Sequence, residues 1–232
     1  IKLNGFAVEG TLGSYSSLNL ADYSSQYIED RSLLLYHMLD PDNRDLGDLH
    51  IKDRGYGVEV GSDGWIWNNP NILFGYDGAD QGYIEELIGG SKADHLFGMG
   101  GEDLLIGDKG DDYLEGGKGA DTLLGGIDFD TYMSGDGDTI SDDDGRGDVF
   151  FENSLLTGGT LTGIAGNFKT YEGDGGIYIL KSDNTLIFSK DGNFVTINNF
   201  DKKANDLGIE LTGDDLSLSI FAPVVSENVG VA

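Results

Sequence analysis

Five aspartates recur at nine-residue intervals in the middle of the chain, at positions 94, 103, 112, 121 and 130. Alternate aspartates, such as Asp94 and Asp112, are therefore two such intervals apart. Carboxylate oxygens are hard ligands that suit hard divalent cations. If two nine-residue units form one coil of the chain, carboxylates two units apart lie on stacked turns. The spacing predicts cation sites between turns on the same side of a coiled stack.

The composition supports a cation as the partner. The 232 residues contain 42 Asp and Glu against 14 Lys and Arg, which gives a formal net charge of -28. This charge argues against a nucleic-acid or anionic-membrane partner, because phosphates would be repelled. The chain has no Cys, which excludes disulfides and thiolate metal sites. No apolar run approaches the ~18 to 20 residues of a membrane span, so no transmembrane segment is predicted.

The aspartates belong to five nine-residue units that run from residue 89 to residue 133. The first position is always Gly, the sixth is Asp, and the eighth is Leu or, in the last unit, Tyr132. A three-residue strand directs only its central side chain inward, so each unit buries one large residue. Glycines in the turns permit a positive φ and close approach of neighbouring backbones, whose carbonyls then share one small space. The units depart from glycine at the second position in Met99 and Asp108 and at the fourth in Lys92 and Asp128.

This pattern, G-G-x-G-x-D-x-U-x with U a large apolar residue, resembles the RTX repeat of bacterial proteins exported by type I secretion. The resemblance implies a mainly all-β chain built on a right-handed parallel β-roll, with an antiparallel C-terminal cap and a short N-terminal helical and hairpin region. It also implies that calcium, which suits six to eight oxygen ligands, is the cofactor, with about three to five ions bound.

In the family, each calcium ion takes one Asp and two backbone carbonyls from each of two stacked turns. Carried over to this chain, the resemblance implies three sites that each join turns two repeat units apart. Their ligand sets are Asp94 and Asp112 with the carbonyls of Gly90, Lys92, Gly107 and Lys109; Asp103 and Asp121 with those of Met99, Gly101, Gly116 and Lys118; and Asp112 and Asp130 with those of Asp108, Gly110, Gly125 and Ile127.

The repeat pattern weakens at both ends. Asp138 follows Asp121 by one residue less than two full units, whereas Asp148 follows Asp130 by two full units. A one-residue deletion followed by a compensating insertion would keep Asp148 in register, so we favour an Asp130–Asp148 site over an Asp121–Asp138 site. Upstream of the regular units, Asp77 and Asp80 are expected to be solvated turn residues.

The C-terminal part predicts a β cap. From Gly176 onward, three alternating strands are separated by turn signals at residues 182–184 and 190–193, which predicts an antiparallel meander. A repeat stack ends in an exposed edge, so we expect the meander to pair with or cover the last coil. The chain then divides into an N-terminal region 1–74, a β-roll 75–151, a cap 152–213 and a tail or linker 214–232.

The N-terminal part predicts one helix and one hairpin. Residues 20–39 are amphipathic and end before Pro41, with Asn19 as the predicted N-cap. The predicted apolar face, which should pack on the first coils or on an upstream domain, consists of Leu20, Tyr23, Tyr27, Leu34 and Met38. Alternation within residues 48–74 predicts a hairpin that turns at 61–64.

The sequence contains no catalytic motif that we recognise. There is no G-x-S-x-G elbow, and His37, His50 and His95 do not form H-E-x-x-H, so we expect these histidines to contact solvent. Some RTX proteins cleave themselves at an Asp-Pro bond, but Asp40-Pro41 is more simply interpreted as a helix stop. We therefore expect no enzymatic activity in this chain and place any such activity in an upstream domain.

Taken together, the sequence predicts a calcium-binding RTX module of a larger protein secreted by a Gram-negative bacterium. The parent protein would pass the type I secretion apparatus unfolded and fold outside the cell as calcium binds. One alternative is that the chain is the C-terminal part of an RTX lipase, another hydrolase or a toxin. Another is an adhesin whose residues 1–74, with Trp65 and Trp67, bind a host or surface ligand.

Overall fold

The structure, a computed structural model, describes residues 24–39, 46–55, 57–61, 68–76 and 84–214. Within these ranges, no helix is both long enough and apolar enough to cross a membrane. Several predictions concern residues outside the described ranges: Asn19, Leu20, Tyr23, Asp40-Pro41, Trp65, Trp67, Asp77, Asp80 and the segment 215–232.

One helix, 18 strands and a short 3-10 helix make up the described secondary structure. Helix α1 spans Ser25–Leu39 and the 3-10 helix spans Asp206–Gly208. The strands are β1 (His50–Asp53), β2 (Val58–Gly61), β3 (Asn71–Phe74), β4 (Glu85–Gly90), β5 (His95–Phe97), β6 (Asp103–Lys109), β7 (Tyr113–Glu115), β8 (Thr122–Ile127), β9 (Asp130–Ser134), β10 (Thr139–Ser141), β11 (Gly147–Phe151), β12 (Ser154–Leu155), β13 (Gly158–Ala165), β14 (Phe168–Gly173), β15 (Gly176–Lys181), β16 (Leu186–Lys190), β17 (Asn193–Asn198) and β18 (Glu210–Thr212).

The repeat strands alternate between two sheets, as the predicted β-roll requires. Strands β3, β5, β7, β9 and β11 pair in parallel in one sheet, and β4, β6, β8 and β10 pair in parallel in the other. Within the regular units, residues two units apart face each other across each pairing, for example Leu96 and Leu114. The parallel stack also extends upstream of the repeats, because β1 pairs in parallel with β3.

Each strand of the regular units contributes one side chain to the core of the roll. The eighth position of every unit is fully buried, in Leu96, Leu105, Leu114, Leu123 and Tyr132. Leu87, Ile140 and Val149 continue this row beyond the regular units. Because successive Cβ atoms point to opposite faces of a strand, each short strand can supply only one such residue.

The predicted meander is confirmed, and it prolongs one sheet of the roll. Strands β15, β16 and β17 pair antiparallel in sequence order. Strand β17 then pairs in parallel with β10, placing Thr196 opposite Thr139, so the cap pairs with the last coil of that sheet. Asp191 and Gly192 both have positive φ, at 53° and 97°, as a two-residue hairpin turn requires.

Helix α1 packs on the first coils, which is one of the two predicted partners. Tyr27 packs edge-on against Phe74 and Phe97, with ring centroids 5.7 and 5.4 Å apart. The hydroxyl of Ser24 accepts a hydrogen bond from Tyr27 N at 3.0 Å and so caps the described helix. Tyr27 and Leu34 are buried, as predicted.

The predicted helix face was wrong at Met38, which is 36 % exposed. The buried face includes charged residues instead, because the coils provide partners for them. Arg31 forms an ion pair with Asp53 and places its guanidinium 4.1 Å from the centre of the Phe74 ring. Asp30 accepts a hydrogen bond from His95 Nδ1 at 2.7 Å if that nitrogen is protonated.

Two further predictions for the N-terminal region are corrected. The hairpin turns between β1 and β2 around Arg54 and Gly57, not at 61–64, and Gly61 lies in β2 opposite His50. Gly57 closes the turn by donating to the Arg54 carbonyl at 3.3 Å, with a positive φ of 65°. The predicted solvent exposure of the histidines is also wrong for His37 and His50, which are buried. The His50 ring lies between Asn71 Oδ1 and Glu59 Oε1, at 3.1 and 2.9 Å, which explains its burial.

Candidate metal centre

The sixth residues of the repeats, together with Asp138, form two columns that we call the aspartate ladder. One column consists of Asp94, Asp112 and Asp130, and the other consists of Asp103, Asp121 and Asp138. All six are buried, with at most 2 % exposure. Four of them accept a backbone hydrogen bond from the ladder residue one coil earlier: Asp94 N donates to Asp112 Oδ1 at 2.8 Å and Asp103 N to Asp121 Oδ1 at 2.8 Å, and Asp130 and Asp138 are held in the same way. The stacked backbone therefore fixes the carboxylates of every second unit one above the other, as predicted.

The other oxygen of most ladder residues is buried without a donor. Oδ2 of Asp94, Asp112, Asp121 and Asp130 is shielded from solvent and accepts no hydrogen bond from the described residues. Burying a carboxylate oxygen without a hydrogen bond is costly. A bound cation would remove this cost.

The first glycine of a unit has no side chain, which leaves a space between a ladder carboxylate and the carbonyl of the next stacked turn. A methyl group on Gly98 would lie 2.8 Å from Asp103 Oδ2 and 2.5 Å from the Gly116 carbonyl oxygen. A methyl group on Gly107 would overlap Asp112 Oδ2 and lie 2.6 Å from the Gly125 carbonyl oxygen. A carboxylate oxygen and a carbonyl oxygen of the next stacked turn therefore converge at each of these glycines, which is the donor chemistry that calcium prefers.

Within the described ranges, no three His, Cys, Asp or Glu side chains come together as a metal cluster. This result is consistent with sites that combine two carboxylates with backbone carbonyls. Such sites depend on the backbone of the turns more than on a group of side chains.

The structure brings the predicted carbonyl donors of stacked turns side by side. On one side of the roll, Gly90 lies opposite Asp108, Asp108 opposite Gly126, and Lys109 opposite Ile127. On the other side, Lys118 N donates to the Met99 carbonyl at 3.0 Å, and Gly101 N donates to the Lys118 carbonyl at 2.9 Å. The carbonyls of Met99 and Lys118 are thus already in hydrogen bonds between turns, and the assignment of individual carbonyls to calcium stays a prediction.

Three of the four turn residues that replace the expected glycine adopt the positive φ that favours glycine. Met99, Asp108 and Asp128 have φ values of 77°, 80° and 87°. Such values are unfavourable for residues with a side chain and persist only where the surroundings impose them. Neither Gly90 nor Lys92 has a positive φ, so the first turn, 89–93, differs in conformation from the turns stacked on it.

Burial makes the ladder hard to ionise. Burial raises the pKa of Asp94 and Asp138 to about 6 and that of Asp121 to about 7. Burial and then the charges of Asp94 and Asp130 raise the pKa of Asp112 to about 9. The ladder therefore favours either protons or a cation over a row of bare carboxylates.

The C-terminal end of the ladder corrects the prediction for Asp148. In the pairing of β9 with β11, Gly147 lies opposite Asp130, and Asp148 lies opposite Thr131 and is only partly buried. The reason is that the turn 134–137 is one residue short and no later insertion compensates, so the register is shifted by one. Asp130 N donates to the Arg146 carbonyl at 3.1 Å instead of to a carboxylate.

Asp138 continues the ladder, although the sequence favoured an Asp130–Asp148 site over an Asp121–Asp138 site. It is fully buried, and Asp121 N donates to its Oδ1 at 2.8 Å. Its Oδ2 accepts a hydrogen bond from Gly135 N at 2.7 Å, unlike Oδ2 of Asp121. Backbone groups thus satisfy both oxygens where this column ends.

The N-terminal ends of the columns use residues that the sequence analysis missed. Glu85 lies opposite Asp103 and is buried, and its carboxylate accepts hydrogen bonds from Arg54 Nη1 and Tyr76 N. In the other column, Asn71 donates to Asp94 Oδ1 through its backbone and side-chain nitrogens at 2.6 and 2.8 Å. Glu85 could have been found because it precedes Asp103 by two full repeat units, whereas the spacing of Asn71 from Asp94 is not a multiple of the repeat and gives no such signal.

A comparison with protein families agrees with this architecture. Residues 81–114, 98–132 and 106–141 match the family model described as the RTX calcium-binding nonapeptide repeat (four copies). No curated protein and no solved structure shows a significant match to the chain. The matched segments, the aspartate ladder and the parallel β-roll coincide, so the chain contains RTX calcium-binding nonapeptide repeats, and residues 84–141 form the parallel β-roll that such repeats build.

Proposed function

We propose that this chain is a module that folds when calcium binds, in a larger protein that Gram-negative bacteria export through a type I secretion apparatus. The observation that carries the proposal is the row of buried Oδ2 atoms of Asp94, Asp112, Asp121 and Asp130, which accept no hydrogen bond from the described residues. Calcium would supply a positive charge that these oxygens can share with the carbonyls of the adjacent turns. Any enzymatic activity would belong to other parts of the parent protein.

The small core explains why folding would depend on the ion. Each strand of the regular units buries one large side chain inside the roll, such as Leu105 or Leu114. The remaining positions of each unit are turn residues and strand residues that face outward, and ordering them costs conformational entropy without adding to the core. At the same time, the folded roll brings buried carboxylates together. We therefore propose that the roll is unfolded at low calcium concentration.

Such a dependence suits export as an unfolded chain. The formal net charge of -28 keeps the metal-free chain extended by self-repulsion. Binding sites of extracellular modules typically have dissociation constants of about 10⁻⁴ to 10⁻³ M. Sites in this range would be empty in the cytosol and filled outside the cell, so that folding follows export.

A calcium titration of the chain, monitored by far-UV circular dichroism, tests the proposal. We expect little β structure in excess chelator, a cooperative gain of β signal up to millimolar calcium, and a much weaker response to magnesium, which prefers a strict octahedron and retains water. A chain with full β structure in chelator would contradict calcium-dependent folding. A chain that gains β structure but does not bind calcium in equilibrium dialysis would contradict the metal assignment.

A further inference from the structure

The last turn of one ladder column contains a carboxylate where the earlier turns contain a glycine. Asp142 begins the turn 142–146, at the place that Gly107 and Gly125 occupy in the two turns before it. Its Oδ1 accepts hydrogen bonds from Asp144 N at 3.0 Å and Gly145 N at 2.5 Å. Its Oδ2 accepts a hydrogen bond from the Tyr132 hydroxyl at 2.6 Å. The side chain of Asp142 is thus fixed with one oxygen directed into the roll.

Two further oxygens meet this side chain beside Gly125. A methyl group on Gly125 would overlap both the Tyr132 hydroxyl and Asp130 Oδ2. Asp130 is fully buried, and its Oδ2 accepts no hydrogen bond from the described residues. Three oxygens, from Asp130, Tyr132 and Asp142, therefore converge on one small space.

The charges around this space are negative. The carboxylate of Asp142 contacts that of Asp130, and the carboxylate of Asp144 adds a further negative charge nearby. Asp206 also faces this turn, with its carboxylate beside Gly145. The cation on the same turn, Arg146, pairs with Asp144 and Asp128 at the surface, at 2.8 and 3.1 Å. Two carboxylates in contact require either a shared proton or a cation between them.

We propose that Asp130, Asp142 and the Tyr132 hydroxyl form a terminal calcium site that closes this column of the ladder. The site differs from the predicted repeat sites because the side-chain carboxylate of Asp142 would take the part that we predict for a turn carbonyl, such as that of Gly107 or Gly125, in the earlier turns. The proposal rests on the proposed calcium binding of the roll. Tyr132 stands at the eighth position of the last regular unit, where the four earlier units have Leu.

Counting the bound calcium ions in variants tests this site. Asp142→Asn keeps an oxygen for the hydrogen bonds from Asp144 N and Gly145 N but removes the charge, and we expect it to bind one ion fewer than the unchanged chain in isothermal titration calorimetry. Asp143→Asn is the matched control, because Asp143 is exposed and the same charge is lost one residue away. We expect this control to keep the full number of ions.

A second variant guards against misfolding. Tyr132→Phe keeps the buried ring but removes the hydroxyl, and we expect about a tenfold weaker affinity for one ion, which corresponds to about 1.4 kcal/mol. If Asp142→Asn gives no β signal in calcium, Tyr132→Phe decides, and an unchanged affinity for every ion overturns the proposal.

The outcomes separate this inference from the proposed function. If the unchanged chain binds several ions and Asp142→Asn binds the same number, the terminal site is wrong and the calcium-binding roll stands. If the unchanged chain binds no calcium, both proposals fail together.

Discussion

Arg54 donates a hydrogen bond from Nη1 to Glu85 Oε1 at 3.0 Å, at the N-terminal end of the column that continues with Asp103. Glu85 lies opposite Asp103 in the parallel pairing of β4 with β6 and is therefore the counterpart of a ladder aspartate. A guanidinium group thus supplies at this end the positive charge that calcium would supply at the rungs that follow.

Arg54→Ala should destabilise the roll even when calcium is saturating. The substitution leaves the buried carboxylate of Glu85 without its cation, and losing such a partner costs about 1–3 kcal/mol. Lys52→Ala is the matched control, because Lys52 forms an exposed ion pair with Glu59 at 3.2 Å, and such pairs contribute about 0–1 kcal/mol. Chemical denaturation in saturating calcium measures both values. Equal losses in the two variants would show that Arg54 has no special role.

Asp112→Asn should remove more bound calcium than Asp94→Asn. Asp112 lies between two coils: its Oδ1 accepts from Asp94 N, and its Oδ2 faces the carbonyl oxygen of Gly125. It would therefore serve two sites, whereas Asp94, next to Asn71 at the end of the column, would serve one. We expect equilibrium dialysis to show two ions lost in the first variant and one in the second. Equal losses would rule out ions shared between stacked turns.

Gly107→Ala should weaken calcium binding because the added methyl group would occupy the space where ligands converge. It would overlap Asp112 Oδ2 and lie 2.6 Å from the Gly125 carbonyl oxygen. Overpacking of this kind costs about 1–3 kcal/mol, so the calcium concentration at half-folding should rise. Gly135→Ala is the control, since its methyl group would lie 3.5 Å from the Gly117 carbonyl, an ordinary contact. A circular-dichroism titration in which both variants shift equally would contradict this explanation.

The metal-free chain should become more structured as the pH falls. In the folded state the pKa values of Asp94, Asp112, Asp121 and Asp130 are raised by burial to between about 6 and about 9, from an ordinary value of 3.8. Across that window the folded chain binds more protons than the unfolded chain, so its stability is greatest below pH ~4 and is lost as the pH rises towards 9.

Calcium should reverse this dependence on pH. Calcium competes with protons for the same carboxylates, so its apparent affinity should increase as the pH rises through the same window. Circular dichroism in calcium-free buffer between pH 4 and pH 9, followed by calcium titrations at pH 6 and pH 8, measures both effects. A metal-free chain that is most structured at high pH would contradict the raised pKa values.

The ends of the roll show where prediction from the sequence failed. Asp148 follows Asp130 by two full repeat units, so its position in the sequence is compatible with a stacked site. It lies out of register with Asp130 because the turn before Asp138 is one residue short. The helix face was mispredicted for a related reason. Arg31 and Asp30 are buried because Asp53 and His95, which are distant in sequence, provide their partners.

The sequence by itself determined the repeating part of this protein. A nine-residue period with one inward apolar side chain and one aspartate leaves little freedom, because a strand alternates its faces and two units close one coil. The tertiary structure alone decided how the columns begin and end, with Arg54 and Glu85 at one end and Asp142 and Tyr132 at another. Arg54 and Asp142 lie outside the regular nine-residue units, so their contacts with Glu85 and Tyr132 follow from the packing of the chain and not from its local pattern.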